Sequence, residues 1–351
     1  MDIREAVPED NDALQALQAK CPQGTDLVAT VINTPDFFAR AKAYEKYKVY
    51  VAHEGNRILG STACGLKDVI VNGNVKRVGY GFQAFVAPES RRTGVASQLH
   101  QHREDYAAQQ GASLFYTLVI EKNTPAMRYI ERRGFLLHRT IVMPGLAIYK
   151  KIHTDIEKHV RPARPEDLDR LAALANQTWQ NYEMYELYTA EVLSASISQT
   201  PGYDLNNFLV LEENGEILAF LGYQDWRQVM KITVDATSLK MRMMGVILKF
   251  AGIFMPMPKM IKPGDTLNQV NITLTGFYDP AHLSLLLKHL NNQMLQRNVD
   301  FIFCICDPKN PILKSLKGFI RIDTAINIYV KNLQQDKLNT DRPVFINGLD
   351  M

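Results

Sequence analysis

Cysteine is scarce in this sequence, and long uninterrupted apolar runs are missing. The four cysteines, Cys21, Cys64, Cys304 and Cys306, have an irregular spacing that gives no disulfide framework. The most apolar stretch, residues 241–261, is broken by lysines and prolines, whereas a bilayer-spanning helix needs about 20 consecutive apolar residues. These absences exclude a small disulfide-stapled domain and predict a chain without a transmembrane helix.

A strong charge of either sign is also absent. The 40 lysines and arginines nearly balance the 37 acidic residues, which leaves a net charge of +3 distributed along the chain. That charge is too mild to indicate nucleic-acid or membrane binding. The first residues are acidic and do not resemble a secretory signal peptide. We therefore expect a cytoplasmic protein, a monomer or homodimer, with neither a nucleic acid nor a membrane as partner.

An internal repeat is the main clue to the organisation of the chain. The sequence IREAVPED at residues 3–10 returns as VRPARPEDL at residues 160–168. Each copy reads as a short strand followed by a helix whose first turn is acidic, as the helix dipole favours. A strand, a tight turn and a second strand then follow in both halves, at residues 49–63 and 208–223. The shared order predicts a duplicated domain.

The polar stretch at residues 151–158 marks the expected boundary between the two copies. We predict domains at residues 1–152 and 153–335, and a C-terminal tail at residues 336–351. The fold class is α/β in the broad sense, with mixed α+β architecture. Each domain is expected to have a mixed, mostly antiparallel sheet flanked by helices.

A loop between a strand and a helix has the chemistry of an anion site. The strand ends at Val86, the helix begins at Val95, and Gly94 lets the backbone approach a ligand closely. The unpaired N–H groups of a helix start attract anions, and Arg91 and Arg92 add positive charge. The alternative is an ordinary strand-to-helix turn with a solvated arginine pair.

The pattern R-x-x-G-x-A at residues 91–96 resembles the Q/R-x-x-G-x-G/A motif of the GNAT superfamily of N-acetyltransferases. Asn123, three residues before Ala126, together with Gly134 and Phe135, resembles the next helix and strand of that family. The resemblance covers residues 1 to about 151. The second half repeats the layout but has no such motif after Asp279, and so resembles a degenerate GNAT domain that has lost acyl-CoA binding.

This resemblance implies an acyltransferase that moves the acetyl group of acetyl-CoA to an amine by direct attack, without a metal. The amine acceptor would be a small molecule or a peptide. The implied coenzyme contacts are the backbone of Ala84, Phe85 and Val86 with the pantetheine arm, the loop residues Arg91, Arg92, Thr93, Gly94, Val95 and Ala96 with the pyrophosphate, and Asn123 near the thioester.

The catalytic residues are not fixed by the resemblance. The family has a tyrosine seven residues after the asparagine, where this chain has Ile130. Tyr129 is one residue earlier, about 100° away around the helix, and is expected on the core side. Glu121 is the acid nearest to the site in sequence. Glu121 and Tyr129 are therefore the candidates for proton transfer, and no residue is assigned.

Two other functions fit the same features. One is an acyl-CoA-binding sensor without activity, since the usual tyrosine is missing. The other is transfer of a longer acyl chain, which would need a wider cleft beside Phe82 and Phe85. The apolar segment at residues 241–261 is expected to be a buried connector between the domains, or alternatively to line a pocket for a hydrophobic acceptor.

Overall fold

A computed structural model describes residues 1–154 and 159–351, so the predicted boundary stretch lies partly outside the described residues. The first half contains seven strands and three helices. They are β1 Asp2–Glu5, α1 Asn11–Ala19, β2 Leu27–Asn33, β3 Lys46–Glu54, β4 Arg57–Val71, β5 Asn74–Val86, α2 Val95–Gln109, β6 Leu114–Ile120, α3 Thr124–Arg132 and β7 Leu136–Ala147.

The second half repeats this order with additions. Its elements are β8 Val160–Pro162, α4 Leu168–Trp179, α5 Ala190–Gln199, β9 Phe208–Glu213, β10 Glu216–Asp225, β11 Met230–Thr237, α6 Leu239–Ala251, β12 Gln269–Phe277, α7 Pro280–Gln296, β13 Phe301–Phe303, α8 Ile312–Ser315 and β14 Arg321–Asn332. The mixed sheet with flanking helices that the sequence predicts is confirmed.

The repeat is visible in individual contacts. Arg4 forms an ion pair with Asp10 at 2.7 Å, and Arg161 forms the same pair with Asp167 at 2.6 Å. Each aspartate also accepts a hydrogen bond of 2.8 Å from the backbone N–H three residues earlier. In both halves the acid therefore joins the first strand to the helix start that follows it.

One twelve-stranded sheet runs through both halves, in the order β1-β3-β4-β5-β6-β14-β7-β13-β12-β10-β9-β8. The last strand of the chain, β14, lies between β6 and β7 of the first half and is antiparallel to both. Strand β7 in turn pairs with β13 of the second half. A separate two-stranded sheet joins β2 to β11. The two halves therefore build one sheet from the strands of both and do not only pack against each other.

The two faces of the first-half sheet carry different cores. Helices α2 and α3 cover one face, where Phe115 and Phe135 pack against Ile130. On the other face, Tyr80 and Tyr116 pack with residues of the C-terminal segment, which includes Val344. Residues 344–350 are all buried. The segment predicted as a tail is therefore packed against the centre of the molecule.

The apolar segment at residues 241–261 is not a buried connector, and that expectation is wrong. It forms most of α6 and the turn after it, and several large side chains lie in solvent, with Phe254 86% exposed. On one side of the helix, the buried Gly245 faces Met260. Within the described residues, no helix is both long enough and apolar enough to cross a membrane.

Candidate active site

The loop between β5 and α2 has the open backbone that an anion site requires. Arg92 and Gly94 have positive φ angles of 67° and 90°, and the loop is exposed. A Cβ atom added to Gly94 would meet nothing within 4 Å. The Thr93 hydroxyl donates to the Ser90 carbonyl at 2.7 Å and so fixes the turn. The N–H groups at the start of α2 therefore point into free space.

Beside this loop, β5 and β6 separate. They pair in parallel only from Val78 to Gly81 on β5. The Thr117 hydroxyl donates to the Gly81 carbonyl at 2.9 Å at the last paired position. Beyond it, β5 continues to Val86 while β6 pairs with β14 on its other side. A cleft opens between the two strands, and its open end lies next to the loop at residues 91–96.

A β-bulge changes the direction of β5 within this cleft. Gln83 has a φ of 47°, and the register of β5 with β4 shifts between Phe82 and Phe85. The Gln83 amide nitrogen donates to the carbonyl of Phe37 at 2.9 Å, which anchors the bulge on one face. The next residue, Ala84, is exposed. A bulge leaves one residue outside the hydrogen-bond ladder of its strand. This bulge lies on the edge of β5 that the resemblance assigns to pantetheine.

The carbonyl of Val86, the last residue of β5, already has weak partners. It accepts a hydrogen bond from the Cys21 thiol and another from Arg91 Nε, both at 3.4 Å. The Arg91 side chain therefore folds back over the end of the strand. The assignment of the residue 84–86 backbone to pantetheine, and of residues 91–96 to the pyrophosphate, stays a prediction.

Helix α3 presents Tyr129 and not Ile130 towards α2. Ile130 is 4% exposed and belongs to the core, whereas Tyr129 is partly buried and lies edge-on to His100 of α2 at 5.2 Å. Tyr129 packs against the core cluster, on the core side as expected, and Ile130 lies within the same cluster. The Tyr129 hydroxyl is buried and has no hydrogen-bond partner within the described parts of the chain. Burial raises the pKa of this hydroxyl, so it stays protonated at neutral pH.

A buried arginine fills the closed end of the cleft on the same face. Arg103 is 1% exposed, donates to the Thr62 hydroxyl at 3.0 Å and lies over the Phe115 ring at 5.2 Å. A Cβ atom on Gly81 would be 2.6 Å from the Arg103 guanidinium carbon. Burial lowers the pKa of Arg103 to about 10, so the side chain remains charged at neutral pH. Arg103 and Phe115 therefore pack directly against Gly81.

The other two predicted polar residues lie at the start of α3. Asn123 is the N-cap of α3, and its side chain accepts a hydrogen bond from the Ala126 N–H at 3.3 Å. The Glu121 side chain is exposed just beyond the end of β6. Both residues therefore lie at the open end of the cleft, where their proposed roles stay predictions.

A cluster around Asp350 occupies the opposite face of the sheet. Its carboxylate accepts hydrogen bonds from the hydroxyls of Tyr44 and Tyr116, both at 2.9 Å, and forms an ion pair with Lys67 at 2.9 Å. Its backbone carbonyl accepts a hydrogen bond from Tyr80, the residue before Gly81. Burial raises the pKa of Tyr80 to about 12. The C-terminal segment thus ends directly behind the point where β5 and β6 separate.

A cavity of about 350 Å³ extends from this cluster along the face. Tyr44, Lys67 and Asp350 line one part of it, and Glu186 lines another. Glu186 accepts a hydrogen bond from the Tyr188 hydroxyl at 3.0 Å, and burial raises the pKa of its carboxyl group. None of these residues belongs to a local motif, so the sequence gives no signal that they meet.

The corresponding place in the second half is closed by its own side chain. Asp279 is the N-cap of α7, and its carboxylate accepts a hydrogen bond from the Ala281 N–H at 2.8 Å. An acid at this position repels a phosphate and uses an N–H group that a phosphate would need. This geometry supports the prediction that the second half does not bind acyl-CoA.

Comparison with known proteins identifies the family. The model of the acetyltransferase (GNAT) family matches residues 12–135, while no curated protein matches the chain. Among solved structures, N-myristoyltransferase of Saccharomyces cerevisiae with bound myristoyl-CoA is similar over 98% of this chain and 87% of its own, with 13% identity and a TM-score of 0.63. A GCN5-related N-acetyltransferase from Sphaerobacter thermophilus is similar over 97% and 98%, with 13% identity and a TM-score of 0.56.

The matched region contains both the loop at residues 91–96 and the separated strands. The structural likeness extends over both halves, although the low identity restricts it to the fold. Residues 12–135 therefore belong to the acetyltransferase (GNAT) family, and the chain as a whole has a tandem GNAT-like fold.

Proposed function

We propose that this protein is an N-acetyltransferase that moves the acetyl group of acetyl-CoA to an amine within the cleft between β5 and β6. The observation that carries the proposal is the separation of these strands after Gly81, next to the exposed loop at residues 91–96. The free edge of β5 suits the amide groups of pantetheine. The N–H groups of the loop suit the pyrophosphate. Both ends of one coenzyme molecule therefore have a partner.

The bulge at Gln83 is the part of the cleft suited to activate the thioester. An N–H group outside the ladder can donate to the thioester carbonyl and stabilise the oxyanion that forms on attack. The amine nitrogen then bonds to the carbonyl carbon, and the carbon–sulfur bond breaks. The leaving thiolate takes a proton, for which Tyr129 is the proposed donor. Holding donor and acceptor together supplies most of the remaining acceleration.

The filled closed end of the cleft favours a short acyl group. Arg103 and Phe115 occupy the space above Gly81, and a charged guanidinium is a poor neighbour for a long hydrocarbon chain. This argues for acetyl transfer and against the longer chain seen in the yeast N-myristoyltransferase structure.

The acceptor amine is proposed to approach from the Asp350 face. The cavity on that face reaches Asp350, the partner of Tyr116. Its lining includes four acids that can attract an ammonium group, Glu45, Asp68, Glu186 and Asp350, together with the cations Lys46, Lys67 and Arg77. Glu186 is the proposed base, because a carboxyl group with a raised pKa removes a proton more readily near neutral pH. Asp350 is less suited, since its oxygens already accept three side-chain hydrogen bonds or ion pairs.

The direct test is a thiol-release assay with acetyl-CoA and a panel of small amines and amino-terminal peptides. We expect acceptor-dependent release of CoA, with a rate that increases as the pH rises through the raised pKa of Glu186. Tight binding of acetyl-CoA without turnover on any acceptor would contradict the proposal and favour a sensor. Faster release from a long-chain acyl-CoA would contradict the acetyl assignment alone.

A further inference from the structure

The helix α6 and the turn after it expose more apolar surface than a globular protein leaves uncovered without a reason. The described side chains between residues 239 and 255 include eight large apolar groups that are at least half exposed: Leu239, Met243, Val246, Ile247, Phe250, Ile253, Phe254 and Met255. We call this set the apolar face.

The apolar face follows one side of α6. At about 100° per residue, the five members of the apolar face that lie on α6 fall within an arc of about 100°. Lys240 lies at one border of this arc, and Arg242 and Lys249 lie at the other. The buried Gly245 points the opposite way, against Met260. The helix therefore presents a narrow apolar stripe bordered by positive charges.

The charge of the segment is of one sign. Residues 238–264 contain five lysines and arginines and no aspartate or glutamate. The first acid after them, Asp265, lies 3.8 Å from Lys259. This local excess of positive charge is not apparent from the small net charge of the whole chain. A second copy of the chain would bring like charges together at the apolar face, so self-association through it is disfavoured.

We infer that the apolar face binds the surface of an anionic phospholipid bilayer. A helix of this kind lies in the plane of the interface, with its apolar stripe among the acyl chains and its cations at the head groups. The average charge of the chain predicts no membrane partner. The exposed apolar side chains and the cations that border them now indicate the opposite for this segment.

The position of α6 brings the cleft close to the membrane. The N–H of Ser238, the residue before α6, donates to the Asp26 carbonyl at 2.7 Å. The Asp26 carboxylate forms an ion pair with Lys122, next to Asn123 at the open end of the cleft. Membrane binding at α6 would therefore hold that open end near the bilayer surface. The inference does not depend on acetyl transfer, because vesicle binding is measured without any substrate.

The test is flotation of the full chain with phosphatidylcholine vesicles that contain either no or roughly one-third phosphatidylserine. The three cations that border the stripe predict binding to the anionic vesicles that is tighter by on the order of 100-fold at low salt. The double variant Ile247→Glu/Phe250→Glu should lose at least about 90% of the bound fraction. Its thermal unfolding should match that of the unmodified chain, because both side chains lie in solvent.

A matched pair of single variants controls for the added charge. Leu239 and Leu136 are 72% and 71% exposed, so Leu239→Glu should weaken vesicle binding and Leu136→Glu should not. Failure of the unmodified chain to float with anionic vesicles would overturn the inference. So would equal flotation of the double variant, or a self-association in sedimentation experiments that the double variant abolishes while vesicle binding is absent.

Discussion

Gly94 has a backbone conformation that suits glycine, and open space where a side chain would be. Its φ of 90° is a conformation that side chains disfavour, and the space around its missing Cβ is empty, as it is at Gly215. The turn by itself therefore favours a glycine here. The open space also leaves room for a ligand to approach the backbone, where a side chain would hinder a phosphate group.

We predict that Gly94→Glu abolishes the binding of CoA while the protein remains folded. The added side chain introduces bulk and negative charge at the pyrophosphate site, and the backbone strain costs about 1 kcal/mol. Isothermal titration with CoA should show affinity reduced by at least about 100-fold. The melting temperature should decrease by only a few degrees.

The matched control is Gly215→Glu in the turn between β9 and β10. Gly215 has a φ of 82° and equally open surroundings, so the substitution has the same strain and charge far from the cleft. It should bind CoA as the unmodified chain does. Unchanged CoA affinity in Gly94→Glu would refute the assignment of the loop.

At the scale of single elements, the two helix starts at Asp10 and Asp167 are built alike. Each carboxylate is mostly buried, binds an arginine from the preceding strand and accepts a backbone N–H. The arginine hydrogen bond is the main reason that the pKa of each aspartate lies below its ordinary value of 3.8. The charged forms therefore stabilise the folded state.

We predict that Asp167→Asn lowers the free energy of unfolding by about 1–2 kcal/mol at pH 7. Because the folded pKa is lowered, the contribution is complete above about pH 5 and is lost as the pH falls below about 4. Urea denaturation at several pH values measures both the loss of unfolding free energy and its dependence on pH. Asp169→Asn, at an exposed position two residues later, is the control, and equal losses in the two variants would contradict the prediction.

The elements themselves could largely be predicted from the sequence. Helix α2 begins at Val95 as the loop pattern indicates, and α3 is capped by Asn123. These signals are local, since caps and turns depend on a few neighbouring residues. The faces of the helices were less predictable. Tyr129 and Ile130 both pack against the core, although the resemblance would place the residue at position 130 beside the cleft.

What could not be predicted lies between distant segments. Asp350 and Tyr116 meet across 234 residues, and no pattern around either residue specifies the other. The same holds for the apolar face on α6, because an apolar segment reads alike whether a protein or a lipid covers it. The loop and strands proposed to hold the coenzyme could thus be predicted from the sequence, whereas the cavity proposed for the acceptor could not.

At the scale of the whole molecule, β14 makes the halves interdependent. It pairs with β6 over seven consecutive residues and with β7 over most of its length. The predicted division at residue 152 would leave both strands without this partner. An unpaired strand inside an apolar sheet exposes backbone hydrogen-bonding groups and tends to aggregate.

We predict that a fragment of residues 1–152 does not fold alone, and that co-expression with residues 153–351 restores a soluble complex. Circular dichroism of the fragment should show no cooperative thermal transition, whereas the full chain should show one. A monomeric 1–152 fragment with its own cooperative transition would show that the first half is independent of β14.

The place of β14 also sets a condition on biosynthesis. Ile120 on β6 pairs with Ile326 on β14, which the ribosome synthesises about 200 residues later. At about 5–20 residues per second, the ribosome needs roughly 10–40 s to supply it. During that time the nascent first half presents an open apolar edge, long before the cleft between β5 and β6 can be completed. A cell that makes this protein must therefore shield an unfinished sheet, and the chain becomes competent only when its last strand has been synthesised.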